Sequence, residues 1–117
     1  MNEKPRLNRA DFYRDVYEVV KLVPKGRVTS YGAIARYLGA AKSARMVGYA
    51  LNNCMDRADV PAHRVVNRLG LLSGKHHFPT EDAMAERLMA EGIVVQNDQV
   101  QSFSEKFWDP NEALSFD

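Results

Sequence analysis

The feature that most limits how this chain can fold is the stretch NRADFYRDVYEVVKLV (8–23) and the PKGR that cuts it off. Phe12, Val16, Val19, Val20 and Val23 recur at helical spacing, with polar residues between them. That pattern predicts an amphipathic helix with one broad apolar stripe. Asn8 is the expected N-cap, and Asp11 in the first turn complements the helix dipole. Pro24 and Gly26 end the helix. The stripe needs a second surface, which must come from other short elements.

The next segments supply it. VTS (28–30) leads into YGAIARYLG, with Thr29 or Ser30 as cap and Tyr31, Ile34, Ala35 and Leu38 on one face. Gly39 is a natural C-cap. Ser43 opens a third helix running to about Asn53, whose buried stripe is Val47, Ala50, Leu51 and Cys54. Two short helices joined by a Gly-containing turn make a helix-turn-helix pattern. Residues 56–77 read as loop and short extended pieces. Within them VV (65–66) and LL (71–72), separated by NRLG, are expected to form a small hairpin or wing. Thr80 is the expected cap of a last helix over 81–92, closed by Gly92, and Ile93–Val95 are expected to add a short strand. The tail from about residue 101 is expected to be irregular, docked through Phe103, Phe107 and Trp108. The fold class is therefore mainly α with a small β element, a winged-helix-like helix-turn-helix domain over 1–100 with 101–117 as a tail on the same domain.

Composition narrows the function classes. At 117 residues the chain reads as one domain with a modest core. No apolar run approaches the ~20 residues of a membrane helix, and the first residues lack a secretory h-region. The single Cys54 leaves no intrachain disulfide and fits a reducing, cytoplasmic setting. The net charge is +1, but its distribution is uneven. Residues 1–76 carry 14 Lys/Arg against 6 Asp/Glu, and residues 77–117 carry 2 against 9. A basic front with an acidic rear suggests one face for a polyanion; ordinary scatter on a solvated domain is the alternative. The adjacent His76 and His77 have no matching ligand set, so no metal and no cofactor is expected.

Opposite its buried stripe, the third helix presents Ala41, Arg45, Gly48 and Asn52. A solvated face would carry Lys, Glu or Gln, and Gly48 costs roughly 1 kcal/mol of helix propensity relative to Ala. Small residues there admit a close neighbour, either a DNA minor groove or another helix. Arg45 on such a face can probe stacked bases or form a surface ion pair. In VPAHRVVN (60–67), His63 and Arg64 look placed for chemistry or for holding an anion. Glu91 falls on the apolar stripe of the last helix, where an unpaired carboxylate is costly. It needs a buried partner, and His63 is a plausible one. A His–Glu pair is the second half of a nucleophile triad. The first half is absent: Ala62 carries no nucleophile, Ser73 and Cys54 are the nearest candidates, and Cys54 lies on a buried stripe.

Taken in order, VPKGRVTSYGAIARYLGAAKSARMVGYALNN, VPAHRVVNRLG and LMAEG resemble the DNA-binding domain of O6-alkylguanine-DNA alkyltransferases over about residues 8–95. Those enzymes carry a Pro-Cys-His-Arg-Val box whose cysteine accepts the alkyl group. Here the box is Pro61-Ala62-His63-Arg64-Val65. The loss of the cysteine makes the chain similar to the alkyltransferase-like proteins, which keep the damage-binding domain without alkyl transfer. The resemblance implies a non-enzymatic, cytoplasmic, monomeric protein. It would bind double-stranded DNA containing O6-alkylguanine through the minor groove, flip the lesion into a pocket and flag it for nucleotide-excision repair proteins, with no membrane role. By position it implies that Tyr31 rotates a phosphate during flipping and that Arg45 fills the vacated stack. It implies that Gly48 lies on the DNA face and that Pro61, Ala62, Val65, Val66 and the 71–76 loop belong to the pocket. Lys75 would face the O6 substituent, and His63 and Glu91 would be a remnant proton relay. Cys54 departs from the pattern, which has an asparagine at that hinge. Two other readings stay open: a helix-turn-helix transcription regulator, disfavoured by the few base-reading side chains on the third helix, and an alkyltransferase inactivated by substitution at position 62.

Overall fold

Helix α1 (Arg9–Leu22) forms where its stripe predicts, and Val16 and Val20 are fully buried. The computed structural model describes residues 9–39 and 43–115, so Asn8 and Ala41 lie outside the described residues. Helices α2 (Tyr31–Tyr37) and α3 (Ala44–Asn52) cover the stripe of α1. Ser30 caps α2, its hydroxyl accepting from the Ala33 amide at 3.1 Å. Ile34, Ala35, Val47, Ala50, Leu51 and Cys54 complete this first core cluster. Each fully buried aliphatic side chain contributes roughly 1.5–3 kcal/mol. Gly39, just past α2, takes a φ of +77°, the left-handed conformation expected of a glycine after a helix.

Two residues join this helical unit to the rest. Strand β1 (Thr29–Ser30) pairs in parallel with β2 (Val65–Val66), Thr29 opposite Val65 and Ser30 opposite Val66. Successive side chains of a strand point to opposite sides. Val65 accordingly packs into the first cluster, while Val66 joins a second with Val28, Leu72, Met84, Leu88 and Ile93. Helix α4 (Ala83–Ala90) backs that second cluster.

The expected 65–66/71–72 hairpin is not made. The turn between its arms does form, with the Asn67 side-chain oxygen accepting from the Leu69 and Leu71 amides at 2.9 Å. Strand β2 then spends its hydrogen bonds on β1, and Leu71 bridges to Gln99 instead. The hairpin of the fold is β3 (Val95–Gln96) with β4 (Gln99–Val100). Its turn residues Asn97 and Asp98 both have positive φ, 53° and 59°, as a two-residue type I′ connection requires. Nor does Thr80 cap α4: Asp82 occupies the N-cap, without a side-chain cap bond.

The last segment is more regular than expected. It forms α5 (Phe103–Lys106) and α6 (Pro110–Ala113), the latter capped by Asp109 with Pro110 at its first turn. Main-chain bonds from the Val28 amide to Lys106 O and from the Trp108 amide to Val28 O hold this segment against the start of β1. The Arg27 side chain donates to Lys106 O and Phe107 O, and Asn111 donates to Ala33 O on α2. Among the described residues no helix is long and apolar enough to cross a membrane.

Candidate nucleic-acid interface

Because α3 buries Val47, Ala50 and Leu51, its opposite side must face outward. Arg45, Gly48 and Asn52 come together there with Tyr31, lining an open groove of about 410 Å³. Arg45 is exposed and has no ion-pair or hydrogen-bond partner among the described residues. Gly48 lies alongside the Tyr31 ring: a Cβ there would sit 4.0 Å from its Cε1. The small residue thus serves a contact inside the chain, and the same absence of a side chain keeps the groove open.

Tyr31 sits between this groove and a second, much smaller cavity. That cavity is about 10 Å³ and is walled by Tyr31, Leu51, Met55, Ala62, Val65 and Phe78, among others. It holds about one water molecule, so a nucleobase enters only if its walls part. Gly74 and His77 reach it from the 3₁₀ turn at Lys75–His77. A Cβ on Gly74 would stand 2.8 Å from the Tyr31 hydroxyl. Burial pushes the pKa of this hydroxyl upward, against the opposing influence of Ser73. Lys75, by contrast, does not line the cavity. Its ammonium is 2.7 Å from Asp98 Oδ2 at the tip of the β3–β4 hairpin.

Ala62 begins the 3₁₀ turn Ala62–Arg64, which presents His63 and Arg64 to Glu91 at the end of α4. His63 Nε2 lies 3.0 Å from Glu91 Oε2. Arg64 is the third member of the cluster, which its place in the sequence does not announce. Arg64 does not point outward to hold an anion; it grips Glu91 with Nε at 2.9 Å from Oε1 and Nη2 at 2.7 Å from Oε2. Its Nη1 donates to the Val23 carbonyl at 2.8 Å, tying in the end of α1. The three side chains keep only 12–16% of their exposure.

The electrostatics follow from that grip. Burial alone would raise the Glu91 carboxyl, but the hydrogen bonds from Arg64 and then His63 outweigh it and hold the pKa at about 2. For His63, burial is the largest influence and lowers its pKa, against the opposing hydrogen bond and charge of Glu91. The permanent guanidinium already balances the carboxylate, so the imidazole stays neutral at neutral pH. With an ionised carboxylate as acceptor, Nε2–H donates to Glu91 and Nδ1 keeps its lone pair. Such a base has work only if a nucleophile stands beside it, and position 62 offers a methyl group. Cys54 is no substitute: it is buried at 1% exposure, and burial pushes its thiol up to about 11.

A further cavity of about 420 Å³ opens beside Ala62 and is lined by residues of the 54–64 loop together with Phe78 and Arg87. Nothing in the periodicity of the chain pointed to it.

The chain matches the family described as the 6-O-methylguanine DNA methyltransferase DNA-binding domain over residues 11–93. Alkyltransferase-like protein 1 of Schizosaccharomyces pombe is 35% identical over 104 residues, covering 86% of this chain and 96% of that protein. The DNA base-flipping protein of Escherichia coli is 34% identical over 94 residues, covering 80% of this chain and 71% of that protein. The crystal structure of the S. pombe alkyltransferase-like protein bound to damaged DNA containing O6-carboxymethylguanine superposes with a TM-score of 0.78 at 33% identity. It covers 89% of this chain and 100% of that one. The matched span takes in the Tyr31–Arg45 groove, Ala62 and the His63–Arg64–Glu91 cluster alike, and the chain belongs to the family of 6-O-methylguanine DNA methyltransferase DNA-binding domains.

Proposed function

We propose that this protein recognises O6-alkylguanine in double-stranded DNA, flips the damaged base and holds it without removing the alkyl group. The observation that carries this reading is Ala62, a methyl group in the wall of the Tyr31 cavity where the family's box has its alkyl-accepting cysteine. Kinship with damage-binding and base-flipping relatives supports the same reading.

The parts divide the work as follows. Helices α2 and α3 act as the helix-turn-helix, approaching the minor groove with the smooth face around Gly48, and the β3–β4 hairpin serves as a small wing. Arg45 enters the stack as the base leaves, and Tyr31 guides the phosphate. Extrusion costs a few kcal/mol, less for a poorly paired alkylated guanine. A stacked side chain returns roughly 1–3 kcal/mol. The base then enters between Tyr31, Met55 and Val65, with its O6 substituent toward Ala62. His63, Arg64 and Glu91 shape the floor of the site and take no proton, because no thiol is there to give one. The complex acts as a monomer in the cytoplasm and marks the lesion for nucleotide-excision repair proteins.

The test is incubation with duplex carrying O6-methylguanine with an isotopically labelled methyl group. A stable complex is expected, with the label retained on the DNA and the chain mass unchanged. Label on the protein would overturn the reading.

A further inference from the structure

The small base cavity and the 420 Å³ cavity share three lining residues, Met55, Ala62 and Phe78. The two cavities therefore meet at these side chains, of which Ala62 is the smallest. A substituent projecting from a flipped base toward Ala62 therefore has open space beyond it.

The chemistry of that space is cationic in an uneven way. Arg57, Arg64, Arg87 and His63 line it, with Asp56 as the only carboxylate lining it among the described residues. Arg57 is already held by Asp59 at 2.9 Å, Arg64 by Glu91 at 2.7 Å, and His63 lies against the same Glu91 at 3.0 Å. Arg87 has no carboxylate partner among the described residues. Its guanidinium lies over the Phe78 ring, 5.3 Å from the centroid, so it sits where the two cavities meet. A chain passing over Ala62 and along Phe78 meets this cation first.

Resting on the lesion-binding reading above, we propose that the 420 Å³ cavity is a subsite for the distal part of a bulky O6 substituent, and that Arg87 makes it favour an anionic one. Phe78 supplies the apolar wall for the linker, and Arg87 is the specificity-determining residue for the charge. Arg87 is exposed to water and Asp56 shares the cavity, so the preference is modest.

The experiment compares four duplexes of one sequence: undamaged, O6-methylguanine, O6-(3-carboxypropyl)guanine and the neutral carboxamide of the last. The wild-type chain is expected to bind the carboxylate about two- to fivefold tighter than the carboxamide, the range of an exposed charge pair. Arg87→Gln should erase that ratio while leaving O6-methylguanine affinity unchanged, and Arg87→Lys should keep most of it. Equal wild-type affinities for carboxylate and carboxamide overturn the proposal, as does a ratio that survives Arg87→Gln. An equal loss on all four duplexes on Arg87→Gln puts Arg87 on a DNA phosphate and also overturns it. Failure of the wild-type chain to distinguish O6-methylguanine from guanine is a different outcome: it removes the lesion-binding reading and the subsite with it.

Discussion

Arg64→Met tests the cluster beneath Ala62 most sharply. The substitution keeps the length of the side chain but removes three donor contacts: two to Glu91 at 2.9 and 2.7 Å and one to Val23 O at 2.8 Å. It leaves Glu91 mostly buried with His63 as its remaining partner. Breaking one side of a buried pair costs about 3–5 kcal/mol. The residual exposure of 12–16% places the loss at the lower end, about 3 kcal/mol. The pH dependence changes as well. In the wild type the Glu91 carboxyl falls from an ordinary 4.5 to about 2, so its contribution is present above pH 4.5 and is lost as pH falls toward 2. At 1.36 kcal/mol per unit that contribution is about 3 kcal/mol. Without Arg64 the carboxyl rises, and this acid-labile part of the stability largely disappears. The unbalanced carboxylate then favours the imidazolium, so His63 should titrate at higher pH than in the wild type. Urea unfolding at pH 7 and at about pH 2.5, inside the window between the two carboxyl pKa values, with NMR titration of the His63 Cε1 proton, reads both effects. A loss under about 1 kcal/mol, or an unmoved His63 titration, would refute the reasoning.

Arg45→Ala should weaken binding to O6-methylguanine duplex about tenfold or more, the value of one lost stacked contact, without changing thermal stability. The exposed Arg14→Ala on α1 is the control, and an equal loss there removes the special role of Arg45. Gly74→Ala brings a methyl group within 2.8 Å of the Tyr31 hydroxyl. It should displace Tyr31 and reduce lesion affinity at a stability cost of only about 1 kcal/mol, measured by fluorescence anisotropy and thermal melting on the same sample; unchanged affinity would disconnect Tyr31 from binding.

Helices were legible where their own spacing carried the signal. The stripes Phe12 to Val23 and Val47 to Cys54 are buried as their period requires, because each helix had only to choose which side to hide. The Glu91–His63 contact was legible for a different reason: a carboxylate on an apolar stripe demands a partner. The pairing of Thr29–Ser30 with Val65–Val66 was not legible, since two-residue strands far apart in sequence have no period to read. The same apolar VV and LL pairs fit a local hairpin equally well, and only tertiary packing decides between them. The true hairpin did carry a sign in Asn97-Asp98, a pair suited to positive φ. Asp109-Pro110 likewise marked the start of α6. Arg64 shows the limit most clearly: the inward turn of its guanidinium depends on Glu91 and on the Val23 carbonyl, which only the folded chain brings together.

The most direct measurement is the affinity of the wild-type chain for two duplexes that differ by a single O6-methyl group on one guanine, titrated in the same buffer at the same salt. A protein with a pocket for the extruded, alkylated base binds the methylated duplex about tenfold tighter or more. Equal affinities for the two duplexes would contradict it.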